Sequence, residues 1–320
     1  MSGALQTRTL SALGKVYELA TTEQLASLRY NLIDGIEVVQ TLSARSSAQA
    51  QHAERFLAVM HALLETLPER AQQFNIEGRG SADHDYGNFL KLCRSVHFSW
   101  GPWSSQSWSG AFSPHLWAMH EVLARSGPDD AFSLLEVGVG TGSAGYELAM
   151  VRPKANIIQA ELALESLVMG VLIQNGEALH LPKRVAFEVS EDGVGWFDIL
   201  VPAPPKPITH LPIAQPTPGE PFDMVLAINA LSLAPDPRQA VKDLARHVRP
   251  GGLFVWVDLL CWRLETPSPR RLEGVKDMLS TVEAAGLQVT RQVSGIPYTE
   301  DWGFERQYQW TSHAVIAQRP

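Results

Sequence analysis

Residues 133–145 read SLLEVGVGTGSAG, an apolar run that ends in an acid, Glu136, with glycines following at 138, 140 and 142. Glycines at the end of a short buried strand let the backbone turn tightly and approach a ligand closely. Helix-like sequence resumes at once with Ala144–Met150, so the free N–H groups of a helix start would point into the same crevice. This arrangement suits the holding of a nucleotide-type cofactor. Gly140-Thr-Gly142-Ser-Ala-Gly145 matches the dinucleotide spacing G-x-G-x-x-G, and Glu161 lies near the distance for a ribose-binding acid. A carboxylate at Glu136, however, would repel a pyrophosphate and attract an ammonium group.

The same residues resemble the hydrophobic–acid–x–Gly–x–Gly–x–Gly motif of S-adenosylmethionine (SAM) enzymes. That resemblance implies that Glu136 faces the methionine ammonium and that Gly138, Gly140, Thr141 and Gly142 line the cofactor. SAM carries no phosphate, and we favour it over the dinucleotide. Asn156–Glu161 reads as a second strand whose terminal acid would accept hydrogen bonds from both ribose hydroxyls. Arg184–Val189 reads as a third strand, which would place Ser190-Glu191-Asp192 near the adenine, with Asp192 on its amino group. Phe222–Asn229 is a fourth strand, and Asn229 at its end joins the cofactor set. Pro235–Val248 follows as an amphipathic helix, Arg249-Pro-Gly-Gly252 breaks it, and Leu253–Leu260 returns as a strand. This order resembles the class I SAM-dependent methyltransferase fold. The implied architecture is α/β, a Rossmann-like sheet over residues 131–320 with an N-terminal helical cap over 1–130. Phe197–Pro205 superficially resembles the proline signature of amino-methylating DNA enzymes, but it lacks the acid or amide and the aromatic, and reads as the start of a loop.

The elements that must position this loop differ in character along the chain. Thr9–Thr21, Glu23–Leu42 and Ala48–Leu67 carry apolar residues at three- and four-residue spacing, and Thr22 could cap the second helix. Gly78–Tyr86 reads as a polar loop. Four of the nine tryptophans fall between Trp100 and Trp117; such rings can face a flat substrate or a cation, or can pin an irregular loop to a core. Trp100 and Trp103 are therefore substrate-site candidates. Residues 202–221 hold eight prolines and read as a rigid insertion between the third and fourth strands.

The formal charge of −8, without basic clusters, argues against nucleic acid as a partner. No apolar run approaches the roughly 18 residues of a membrane span, and the N-terminus lacks a signal-peptide pattern, so a cytoplasmic protein without membrane contact is the expectation. Cys93, Cys261 and ten scattered histidines show no metal-ligand spacing, and no metal is expected.

From Phe222 to Arg319 the chain resembles the methyltransferase domain of ovothiol-synthesis proteins, which methylates the imidazole nitrogen of mercaptohistidine. It is similar, more distantly, to carnosine N-methyltransferases. The shared features are Asn229 ending the fourth strand, the pair Pro297-Tyr298, and the run Arg306-Gln-Tyr308-Gln309. A final strand, His313–Gln318, would complete the sheet. The resemblance implies methyl transfer to a nitrogen, with an imidazole of a small histidine-derived molecule as the leading acceptor. Those families commonly place an aspartate just after strand four, where this chain has Ser232, and Arg263 stands where the carnosine enzymes have a histidine. A neutral imidazole needs no strong base, because its pKa of roughly 6.5 leaves most of it unprotonated near neutrality. Tyr298, Tyr308 and Ser232 are the candidates for directing the ring; Arg263 or Arg306 could hold a substrate carboxylate, and Trp310 could line the site. O-methylation, or a non-catalytic SAM-fold subunit, are the alternatives.

Overall fold

The computed structural model describes residues 5–44, 47–72, 87–100, 113–184, 194–213, 221–260, 272–301 and 307–320. In chain order the helices are α1 (Thr7–Leu19), α2 (Thr22–Ser43), α3 (Ser47–Thr66), α4 (Gly87–Trp100), α5 (Ser113–Leu123), α6 (Ser143–Val151), α7 (Leu164–Gln174), α8 (Pro237–Ala245) and α9 (Val275–Ala284). The strands are β1 (Ser133–Val137), β2 (Asn156–Ala160), β3 (Leu179–Arg184), β4 (Val194–Ile199), β5 (Thr209–Leu211), β6 (Phe222–Ile228), β7 (Val248–Asp258), β8 (Gln288–Asp301) and β9 (Gln307–Gln318). They divide into two compact units.

The first unit holds α1–α4, α7 and the antiparallel pair β3–β4. In α2, Leu25, Leu28, Leu32, Ile36 and Val39 are buried at helical spacing, as are Ala53, Phe56, Met60 and Leu63 in α3. Thr21, not Thr22, caps α2: its Oγ1 accepts from the Gln24 N–H at 3.1 Å, and Gln24 Oε1 accepts from the Thr21 N–H at 2.9 Å. This reciprocal pair is a capping box. Helix α7 is buried on nearly every side, which hides any amphipathic period. The indole of Trp100, at the end of α4, is fully buried.

The second unit is a seven-stranded sheet of order β5-β2-β1-β6-β7-β9-β8 with α5, α6, α8 and α9. The five strands from β5 to β7 run parallel, and β9 is antiparallel to both β7 and β8. The chain moves outward from β1 through β2 to β5, then returns to β6 on the other side of β1. The crevice between the carboxyl ends of β1 and β6 is therefore the topological switch point of the sheet. This is the Rossmann-like α/β architecture that the motif order implied.

Two expectations are corrected. The third strand of the central sheet is Thr209–Leu211, inside the proline-rich stretch expected to be an insertion. It is short and lies at the sheet edge, where proline is tolerated. The segment expected to supply that strand instead contributes Arg184 to β3, whose partner is β4, so Phe197–Ile199 is strand rather than loop. The sheet unit takes in α5, and the helical unit takes in α7 with β3–β4. Smaller shifts occur at β7, which already begins at Val248 and includes Arg249-Pro-Gly-Gly252, and at β9, which begins at Gln307.

Within the first unit a polar chain joins α3 to the β3–β4 pair. His52 Nδ1 and His180 Nε2 are 2.8 Å apart, His180 Nδ1 lies 2.9 Å from Asp198 Oδ1, and Arg55 donates to the same oxygen at 2.8 Å. Burial pushes the His180 pKa below its ordinary value, against the opposing pull of Asp198 and with smaller help from Arg55 and His52. Stability from a histidine with a lowered folded pKa is fully present above the unfolded value of about 6.5 and is lost as pH falls through the folded one. His180→Gln should therefore cost roughly 1–3 kcal/mol at pH 7.5, and the gap in thermal stability between variant and wild type should shrink towards pH 5. A gap that stays constant across that range contradicts this assignment.

Candidate cofactor-binding site

Strand β1 lies between β2 and β6, and its acid is the keystone of the loop that follows. Glu136 is 3% exposed. Its Oε2 accepts from the Gly145 N–H at 3.0 Å and from Gln159 Nε2 at 2.8 Å. Gln159 also donates to the Gly142 carbonyl at 2.8 Å. One carboxylate thus joins β1, β2 and the first turn of α6. Burial raises its pKa to about 7, while the hydrogen bonds from Gln159 and Gly145 pull it down. Gly145 has no room for a side chain, because a Cβ there would overlap Glu136 Oε2 and Gln159 Nε2.

Above this carboxylate Gly138, Gly140 and Gly142 have φ of 64°, 55° and 75°. Residues with a Cβ resist this left-handed region, which explains glycine at every second position. The Gly138 N–H donates to the Ala160 carbonyl at 2.8 Å, and the Gly140 N–H to Glu161 Oε2 at 2.7 Å. Thr141 is buried between them. Glu161, just past the end of β2, is half-buried and so both fixes the loop and borders the crevice.

Asn229 stands across the crevice at the end of β6. It is one of two non-glycine residues with positive φ among those described, at 51°, and its N–H donates to the Val257 carbonyl at 2.7 Å. Its Oδ1 is buried without a hydrogen-bond partner among the described residues. A buried acceptor left unpaired costs about 1–3 kcal/mol, so a donor on a ligand is what this atom lacks. Glu136, Glu161 and Asn229 Oδ1 make the switch point rich in acceptors. That fits the ammonium and ribose hydroxyls of SAM, and opposes a pyrophosphate.

The structure also shows an acid that the sequence reading missed. Asp258, at the end of β7, is fully buried and accepts from Ser232 Oγ at 2.5 Å, the Ser232 N–H at 3.0 Å, Trp256 Nε1 at 3.1 Å and the Leu260 N–H at 3.2 Å. The signal was present in Val-Trp-Val-Asp-Leu-Leu, where a charge interrupts a fully apolar run. The remaining candidates scatter. Tyr298 and Trp310 are register partners across β8 and β9, the first buried and the second 41% exposed. Tyr308 pairs with Glu300 in the same ladder. Trp100 is a core residue, and its burial removes the reason for placing it at a substrate. Asp192, Trp103, Arg263 and Arg306, like the Gly78–Tyr86 loop, lie outside the described residues.

Residues 135–256, from inside β1 to inside β7, match the family described as methyltransferase domain. The chain carries a methyltransferase domain. Its methyl donor is SAM. Comparison with curated proteins returned no match. Among solved structures the methyltransferase is similar to the N-methyltransferase NodS from Bradyrhizobium japonicum, at 14% identity and TM-score 0.43, over 64% of this chain and 94% of that one. It is similar to the YcgJ protein from Bacillus subtilis at 14% identity and TM-score 0.43, over 64% and 100% of the two chains. A precorrin-6y C5,15-methyltransferase from Geobacter metallireducens is 11% identical, with TM-score 0.39, over 64% and 86%. No helix among the described residues is long and apolar enough to cross a membrane.

The loop glycines should separate by surroundings. A Cβ at Gly138 would collide with the Ala230 side chain, whereas Gly140 has nothing within 4 Å. Gly140→Ala should cost only the left-handed penalty, roughly 1–2 kcal/mol, and Gly138→Ala clearly more, together with loss of SAM binding. Chemical denaturation and SAM titration of both variants check this order; equal costs would contradict it.

Proposed function

We propose that the methyltransferase transfers the methyl group of SAM to a nitrogen of a small molecule, with the imidazole of a histidine derivative as the leading acceptor. The observation that carries the nitrogen assignment is the Ser232–Asp258 pair. The families that this chain resembles place an aspartate after strand four. Here Ser232 occupies that place and donates its hydroxyl proton to Asp258 at 2.5 Å. With its own proton committed, Ser232 Oγ is left as an acceptor for a ring N–H, and the carboxylate behind it strengthens that role. An N–H held there fixes the imidazole tautomer and leaves the other ring nitrogen as the nucleophile.

When bound, SAM supplies an electrophilic methyl group on a sulfonium. The chain's own residues then have only to bind and orient, and positioning alone can supply much of the acceleration. Glu136 and Asn229 take the methionine end, and Glu161 takes the ribose hydroxyls. Tyr298, Tyr308 and Trp310, on β8 and β9, are the candidates that would line the acceptor. Trp103 is the further candidate for its flat face, and Arg263 and Arg306 would serve only an acceptor that carries a carboxylate beside an ammonium. The acceptor is a small molecule rather than a nucleic acid, in keeping with the formal charge of −8.

Isotope-labelled methyl transfer from SAM to histidine, thiol-histidine, histidyl dipeptides and simple aromatic acids, read by mass spectrometry, tests this reading. Label should appear on an imidazole nitrogen. Ser232→Ala should lower kcat/KM for that acceptor by about tenfold, the loss of one charge-assisted hydrogen bond, with SAM affinity unchanged. Label on oxygen, or none on any imidazole, would contradict the proposal.

A further inference from the structure

We propose that the cavity at the carboxyl end of β7 is the acceptor pocket and that it holds a small molecule by a primary ammonium group. This rests on the reading above, in that the bound molecule is the methyl acceptor. The cavity measures about 410 Å³ and is lined, among the described residues, by Leu259, Leu260, Leu272, Glu273, Gly274 and His313. That volume is within the range of small-ligand sites, which combine apolar walls with a few converging polar groups.

The walls are held in place. Leu259, Leu260 and Leu272 are each at most 9% exposed. Leu260 has φ of 61°, a conformation that L-residues rarely adopt. The Leu260 N–H donates to Asp258 Oδ1 at 3.2 Å, so the same buried acid that engages Ser232 also fixes this strained wall. Backbone strain held by surrounding structure is a mark of functional sites. His313 is the register partner of Asp258 across β7 and β9, and its Nδ1 is 3.0 Å from Ser294 Oγ, which sets the ring's orientation.

Position agrees with this use. β6, β7 and β9 are consecutive in the sheet, so at about 4.8 Å per strand the cavity mouth is on the order of 10 Å from Asn229 at the switch point. Ligands of open α/β sheets gather at these carboxyl ends. The chemistry of the lining then selects the charge. Glu273 is exposed, and its carboxylate has no hydrogen bond or ion pair with any described residue, its backbone N–H alone donating to Asp277. Burial pushes His313 below its ordinary pKa, so its ring is neutral at pH 7. The neutral His313 ring is a second polar group lining the same space. Among the described residues, one free carboxylate and a neutral ring in a mostly polar lining suit an ammonium on a short body.

The test uses the full chain saturated with S-adenosylhomocysteine, titrated calorimetrically with histamine and with imidazolepropionate. The two probes share the ring and its two-carbon spacer and differ in terminal charge. Histamine should bind at least tenfold more tightly, and Glu273→Gln, an exposed and conservative change, should remove that preference. His313→Gln should weaken histamine while leaving thermal stability within a few degrees. Equal binding, a preference for imidazolepropionate, no binding of either, or a preference that survives Glu273→Gln each overturn the pocket. A Glu273-dependent histamine preference with no imidazole methylation would leave the pocket standing and remove the proposed reaction. Imidazole methylation without that preference would do the reverse.

Discussion

The glycine loop depends on a carboxylate beneath it. Glu136 gives up solvent almost completely and in return receives the Gly145 N–H and the Gln159 amide. Desolvating a carboxylate is costly unless it is hydrogen-bonded, so the two donors and the acid require one another. Their requirement propagates: Gln159 must sit on β2 beside β1, Gly145 must lack a side chain, and α6 must begin where its first turn reaches the acid. The three left-handed glycines then follow, because only a tight turn links the end of β1 to a helix start so close by.

Asp258 repeats the logic two strands away. It too is buried, and it gathers donors from the turn after β6, from its own strand and from the residue beyond it. Between these two acids the carboxyl ends of β1, β6 and β7 are fixed at both sides. Asn229 stands in the gap with a positive φ and a buried oxygen that has no partner among the described residues.

Much of the sheet was legible because its strands are long enough to show a pattern. β1, β2, β6 and β7 read as apolar runs bounded by glycine, proline or charge, and the loop glycines announced their own conformation. What failed did so for physical reasons. Thr209–Leu211 is three residues long and flanked by prolines, so it carries no period to detect. Nothing local in Leu179–Arg184 says which sheet it joins, and α7 is apolar on nearly every side. Thr21 and Thr22 are equally good cap residues by type, and only the reach of Gln24 decides between them. For the site, the candidates were legible from their place at strand ends, and the side chains that pair with them were not. Glu136, Glu161 and Asn229 stand at strand ends in sequence, whereas Gln159, Asp258 and His313 acquire their meaning from neighbours more than twenty positions away or on another strand.

The central claim is that the acceptor-rich switch point between β1 and β6 binds SAM and refuses a pyrophosphate. Calorimetric titration of the full chain with SAM, and separately with NAD⁺, tests it most directly. Saturable binding of one SAM per chain, no heat with NAD⁺, and at least about tenfold weaker SAM binding in Glu161→Ala, the loss of a charged hydrogen-bond acceptor, are expected. Binding of NAD⁺, or SAM affinity indifferent to Glu161, would contradict it.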